Sequence, residues 1–232
     1  MTDAPTGRRG LTTLATSVYD AVREDIVQGI LAPGTKLKIA ALQSRYDCGA
    51  SPIREALNRL SMERFVIQSD QRGFVVAPIS LDDFDEITET RCLLYSLLLP
   101  LAIERGDQAW EEGIIIALHR LNKLPRSNDL PLDESLAGRL AHKKFHRSLI
   151  AASPSNFLIE MLDILFDFAD RYRLLVGRIA PEELRGEAVR EHAELVDHVI
   201  SRRTDEAVNL AVHHVRRTAA LFRNHISLVK SK

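Results

Sequence analysis

Four histidines fall at spacings that suit a metal ion. His142 and His146 are four apart, which on a helix stacks both imidazoles on one face. His192 and His214 stand on two later stretches of helical periodicity, and a tight turn at Arg203-Thr204 folds those stretches antiparallel. With all four facing inward the imidazoles converge, and a neutral nitrogen donor set of that kind favours zinc, nickel or copper over harder cations. Zinc is the first expectation and nickel the alternative. A lone helical histidine is more often a surface or hydrogen-bonded core residue, so the convergence has to come from the fold. His213 stands beside His214 and offers the same chemistry, but Ala207, seven residues earlier, puts His214 in register with the apolar face. His119, His198 and His225 read as structural or exposed.

A second set of residues suits a nucleic-acid surface. Ser51-Pro52 opens a short helix through Ile53, Ala56, Leu57 and Leu60 to about Glu63, with Ser51 as N-cap and Pro52 at the first helical position. Arg54, one turn in, can reach a guanine edge or a phosphate, and Ser51 can donate to a phosphate. Two short β-rich runs follow, Phe65 to Ile67 and Phe74 to Val76, around a polar turn that carries Arg72 and Gly73. A side chain at that tip can enter a minor groove, and a glycine lets the backbone approach closely. Lys36, Lys38, Arg45 and Arg59 are phosphate contacts or surface charges.

The elements that must position these residues are mostly helical. Leu14, Val18, Val22, Ile26 and Val27 mark a first helix ended by Gly29 and Pro33-Gly34. Leu37, Ile39, Leu42 and Tyr46 mark a second, broken at Asp47-Cys48-Gly49 before the third. Three helices and a hairpin in this order predict a winged helix-turn-helix, whose third helix enters a major groove. Ala77-Pro78-Ile79 reads as a linker, and Ser80-Leu81-Asp82-Asp83 as a capping box opening a second domain. From Leu81 on the periodicity is helical throughout, with breaks near Gly106-Asp107, 125–131, 153–155, 177–181 and Arg203-Thr204. The predicted fold class is therefore mainly α. Residues 1–10 are a disordered arm, 11–78 a winged helix-turn-helix, and 79–232 an all-helical bundle of about six helices.

Composition narrows the field. A chain of 232 residues, 45% hydrophobic and 27% charged, buries a sizeable core and has room for two modest domains. The net charge of −1 argues against a non-specific nucleic-acid coat, though not against a small basic reading surface. Residues 1–80 hold ten basic against eight acidic side chains, so +2, and the rest 21 against 24, so −3. No apolar run reaches membrane-spanning length, and no apolar segment follows Arg8 and Arg9 as in a signal peptide, so the expected location is cytoplasmic. Cys48 and Cys92 fall in different domains and read as reduced thiols.

The stretches Gly29 to Leu37, Ser51-Pro52-Ile53-Arg54-Glu55-Ala56-Leu57-Asn58-Arg59-Leu60 and Gln71-Arg72-Gly73-Phe74-Val75-Val76 resemble the DNA-binding domain of the GntR family. The second domain resembles the FCD ligand-binding domain of its FadR-type branch. Within that branch, Arg105 to Glu111 and Arg171-Tyr172-Arg173 resemble the carbon-starvation-induced (CsiR-like) regulators. The resemblance implies a homodimer that binds double-stranded operator DNA, generally as a repressor, with Leu93 to Leu101 as a candidate dimer face. It also implies an Asp-x-x-Phe-His metal motif, in which His142 here replaces the aspartate of His142-Lys143-Lys144-Phe145-His146. Where many members have Ser-Arg-Thr-Pro this chain has Gly49-Ala50-Ser51-Pro52, so a common base-reading arginine is absent.

A metal in that domain would anchor an oxygen-bearing effector, most simply a carboxylate, with fixed cations completing the pocket. The family position of Arg91 faces the cavity, and a guanidinium grips a carboxylate with two parallel hydrogen bonds. Asn156 and Arg173 are further candidates that could instead cap helices or pair on the surface. The CsiR-like resemblance implies a dicarboxylate such as glutarate. A regulator that answers to the metal alone, with no organic effector, is the alternative. An enzyme is disfavoured, because no histidine has Glu three residues before it as di-iron bundles need, and no phosphate loop or nucleophile elbow is present.

Overall fold

The computed structural model describes residues 13–69, 73–124, 132–176 and 182–230. The expected arm at 1–10 and the tip residue Arg72 lie outside them. The chain divides into two compact units, Met1–Pro78 and Ile79–Lys232.

The first unit runs α1 (Leu14–Val27), β1 (Lys36–Leu37), α2 (Ile39–Tyr46), α3 (Ala50–Met62), β2 (Val66–Ser69) and β3 (Gly73–Val76). Thr13 caps α1, its hydroxyl accepting from the Thr16 amide. α1 buries Val18, Val22 and Ile26 and packs on α3, which returns Ile53, Ala56, Leu57 and Leu60, each fully enclosed. Two departures from the sequence expectation have simple causes. Leu37 is not in a helix: Lys36 and Leu37 pair antiparallel with Val75 and Phe74, making the hairpin a three-stranded sheet of order β1-β3-β2. Two residues are too few to show a strand period. Ser51 is not the cap of α3. That position falls to Gly49, with Ala50 first in the helix, and Pro52 still costs nothing because it lies in the first turn, where amides have no helical partner.

Among the described residues the second unit has six helices: α4 (Leu81–Arg105), α5 (Gln108–Lys123), α6 (Leu132–Ile150), α7 (Asn156–Val176), α8 (Glu182–Ile200) and α9 (Thr204–Lys230). Ser80 caps α4 through its hydroxyl to the Asp83 amide at 3.0 Å. α4 runs through the middle, packed against α9, α7 and α6, while α5 covers α6 and α8. Tyr95, Leu98, Leu99, Ile114, Phe145, Leu149 and Val199 form the centre of the core. No helix among the described residues is long and apolar enough to cross a membrane.

The α4–α5 corner is tightly specified. Trp110 donates its indole N–H to the Ser148 carbonyl at 2.8 Å, and Arg202 lies over the Trp110 ring while reaching the Ile103 and Gly106 carbonyls. A Cβ on Gly106 would overlap the Trp110 ring. Gly106→Ala is therefore expected to lower the free energy of unfolding by about 1–3 kcal/mol, measured by urea denaturation; an unchanged midpoint would mean that the ring moves aside freely.

Candidate functional site

The exposed side of α3 carries Ser51, Arg54, Glu55 and Asn58, opposite its four buried apolar residues. Among the described residues Arg54 makes no ion pair, so its guanidinium is available outward. Ser51, in the first turn, offers both a hydroxyl and a backbone amide at the positive end of the helix, where anions are favoured. Gly73 opens β3 at φ +80° with open space around it, a conformation that L side chains rarely adopt. Lys36, opposite Val75 of β3, and Lys38 are exposed, whereas Arg45 is held by Asp25 at 2.7 Å and Arg59 lies 4.0 Å over the Tyr19 ring. Arg45 and Arg59 thus serve the fold. The surface that remains is a helix with one free arginine, followed by a wing.

In the helical unit four imidazoles converge. α6 supplies His142 and His146, α8 supplies His192 and α9 supplies His214, with one ligand atom from each lying within 4.8 Å of all the others. His146 Nε2 is 3.1 Å from His142 Nε2, and His192 Nε2 is 3.3 Å from His214 Nε2. A tetrahedral zinc with bonds of about 2.0–2.1 Å separates neighbouring nitrogens by about 3.3 Å, so two edges of such a site are already formed. His146, His192 and His214 are buried, whereas His213, the neighbour that the sequence left open, is 64% exposed on its side chain.

The outward nitrogens of two of these rings are occupied. Tyr95 Oη stands 3.1 Å from His146 Nδ1, and Glu191 Oε2 stands 2.6 Å from His214 Nδ1. Burial opposes ionisation of Glu191, but hydrogen bonds from His214 and Arg217 outweigh it and hold the carboxyl down to about 2. Burial also pushes His214 below its ordinary value against the pull of that carboxylate. His214 and Arg217 thus converge on one carboxylate, whose Oε2 faces the Nδ1 of His214.

Beside the histidines lies a cavity of about 40 Å³ lined by Arg91, His142, His146, Phe166, Asp170 and His214, among others. One water needs roughly 10–15 Å³, so the space has room for a few waters or a small ligand. The Arg91 guanidinium lies 5.1 Å from the Phe166 ring, and its Nε makes no hydrogen bond among the described residues. Asn156 is not part of this site. It is the first residue of α7, exposed, ten residues before Phe166, and Ser155 rather than Asn156 caps the helix. The α7 position of Arg173 is described but its side chain is not.

Sequence reasoning missed Asp170, Glu191 and Tyr95. Asp170 belongs to a ladder between α6 and α7: Arg147 meets Asp163, Lys143 meets Asp167 at 2.6 Å, and Arg139 lies 3.6–3.7 Å from Asp170 and Asp167. The spacing 139, 143, 147 against 163, 167, 170 was the available signal. Its inner end is buried, with Asp167 and Asp170 at 1% and 2% exposure, so the Arg139 charge matters there most.

A winged helix-turn-helix with an outward arginine, joined to an all-helical unit that encloses a histidine-lined cavity, defines a class of DNA-binding transcriptional regulator. The chain belongs to the gntR family of bacterial regulatory proteins, whose profile matches residues 14–76, and carries an FCD domain at residues 86–217. It is similar to the HTH-type transcriptional repressor GlaR of Escherichia coli K12, 34% identical over 85% of this chain and 90% of that protein. It is also similar to BphR, an uncharacterised HTH-type transcriptional regulator of Paraburkholderia xenovorans LB400, at 32% over 91% and 86%. Its fold matches E. coli McbR/YncC with TM-score 0.77 at 20% identity, over 92% of this chain and 99% of that one. The proteins it matches are regulators and not enzymes.

Arg139→Met is expected to lower stability by about 3 kcal/mol, because it leaves buried carboxylates without that charge. Arg147→Met, at the exposed end of the same ladder, should cost at most about 1 kcal/mol. Equal losses from the two variants in urea denaturation would refute the burial argument.

Proposed function

We propose that this regulator is a homodimeric repressor of the CsiR-like kind, whose hold on its operator is set by a small carboxylic acid bound beside a zinc ion. The observation that carries the reading is the cavity in which His142, His146 and His214 face the same space as Arg91. His142, His146, His192 and His214 would hold the metal, and zinc suits four neutral imidazoles. It would supply a Lewis-acid anchor for one carboxylate oxygen. Arg91 would take a carboxylate by paired hydrogen bonds; with two cationic points in one cavity, a short dicarboxylate is the best-matched class. Asp170, in the same lining, lies 3.6 Å from Arg139. Arg173, next to the buried Tyr172, is a further effector contact to be tested.

On the DNA side, Arg54 would read a base edge or phosphate, Ser51 a phosphate, and Arg72 with Gly73 the minor groove beside it. Two-fold operators need two copies. Leu93 and Leu97, at 70% and 50% exposure and one turn apart on α4, are proposed as the dimer face. α4 also carries Arg91 and Tyr95 and follows directly on the linker from β3. A shift of α4 when the acid binds would thus change the spacing of the two DNA-binding units.

The test begins with an operator selected from random duplexes by the full-length protein, followed by anisotropy titrations. Arg54→Ala should weaken binding about 5- to 150-fold while leaving the helical unit intact by circular dichroism. In the zinc-loaded protein, C4 to C6 dicarboxylates should weaken operator binding at least tenfold, and Arg91→Ala should abolish that response. No change with any acid would refute the effector reading, and a response to zinc alone would put metal sensing in its place.

A further inference from the structure

The Glu191 carboxylate does more than pair with a neighbour. It stands on α8 immediately before His192, yet it reaches across to the opposite helix, where its Oε2 lies 2.6 Å from the Nδ1 of His214. An ionised carboxylate can only accept, so this contact fixes the proton on Nδ1 and leaves the Nε2 lone pair of His214 directed at the other three imidazoles. Glu191 is itself clamped. Arg217, three residues after His214 on α9, donates Nε to Glu191 Oε1 at 2.7 Å and Nη2 to Oε2 at 2.8 Å, and its Nη1 reaches Glu187 at 2.9 Å. The planar guanidinium matches the carboxylate edge on, so the oxygen facing His214 cannot rotate away without breaking two charge-assisted bonds.

We infer that Glu191, locked by Arg217, is a positioning residue that sets the tautomer and ring orientation of His214 for metal binding. The inference rests on the metal reading given above and adds a residue to it. His192 and Glu191 are consecutive, so α8 supplies one nitrogen of the cluster and the carboxylate that aims another, and any movement of α8 along α9 alters both together. Outer partners of this kind raise the basicity of the ligand and commonly carry a factor of about 10–100 in metal affinity.

The test uses the full-length protein. Zinc affinity is measured by competition with a chromophoric chelator for wild type, Glu191→Gln and Glu187→Gln, and the histidine nitrogens of metal-free wild type are read by NMR. The proposal expects the Nδ1–H form for His214 in the metal-free protein. It also expects zinc to bind Glu191→Gln about 10- to 100-fold more weakly, with the cobalt-substituted visible spectrum altered. Glu187→Gln, which touches the clamp but no imidazole, should stay within threefold of wild type. Equal loss in the two variants would show that the network only ties α8 to α9, and would overturn the proposal, as would unchanged zinc affinity in Glu191→Gln. A Nε2–H form for His214 in the wild type would overturn it even if both variants failed to fold. Wild-type protein that takes up no zinc would overturn the metal reading as well, a result distinct from all of these.

Discussion

Three helices, α6 and the consecutive pair α8 and α9, each bring imidazole nitrogen to one point, and the helical unit is organised around that constraint. Buried polar groups must be partnered. Here the partners are other histidines on the inward side and Tyr95 and Glu191 on two of the outward nitrogens, with Nε2 pairs at 3.1 and 3.3 Å. α4 contributes Tyr95, α6 two rings, α8 a ring and a carboxylate, and α9 a ring and the arginine that holds the carboxylate. The apolar core of Leu98, Phe145, Leu149 and Val199 brings these helices together, and the polar cluster fixes their register.

The same economy of position holds in the DNA-binding unit. α3 can present Arg54 outward only because Ile53, Ala56, Leu57 and Leu60 are fixed against α1, and because Arg45 and Arg59 are occupied within the unit. On α3 itself Arg54 is exposed while Arg59 is stacked on Tyr19.

Much of this was legible in the sequence because its signals are local. The apolar spacing of α1 and α3, the Ser80 cap and the six helical stretches after it each express a rule acting within one or two turns. The four histidines were legible for a different reason: spacing put two on one face, and the Arg203-Thr204 turn brought the other two side by side. What escaped depends on contacts between elements. Leu37 joins a strand because Phe74 lies opposite it. Ser51 loses the cap because the helix is entered two residues earlier, at Gly49. Asn156 is remote from the cavity because the helix it opens runs ten residues before reaching Phe166. Glu191 and Asp170 take their partners from α9 and α6, contacts that no spacing within their own helices expresses.

X-ray absorption at the metal edge tests the central claim most directly, on full-length protein purified without a metal-affinity tag and loaded with one equivalent of zinc. The account predicts a first shell dominated by nitrogen at about 2.0–2.1 Å, with the multiple-scattering pattern of four imidazoles and at most one added oxygen. A shell made mainly of oxygen, or one with fewer than three imidazoles, would contradict it.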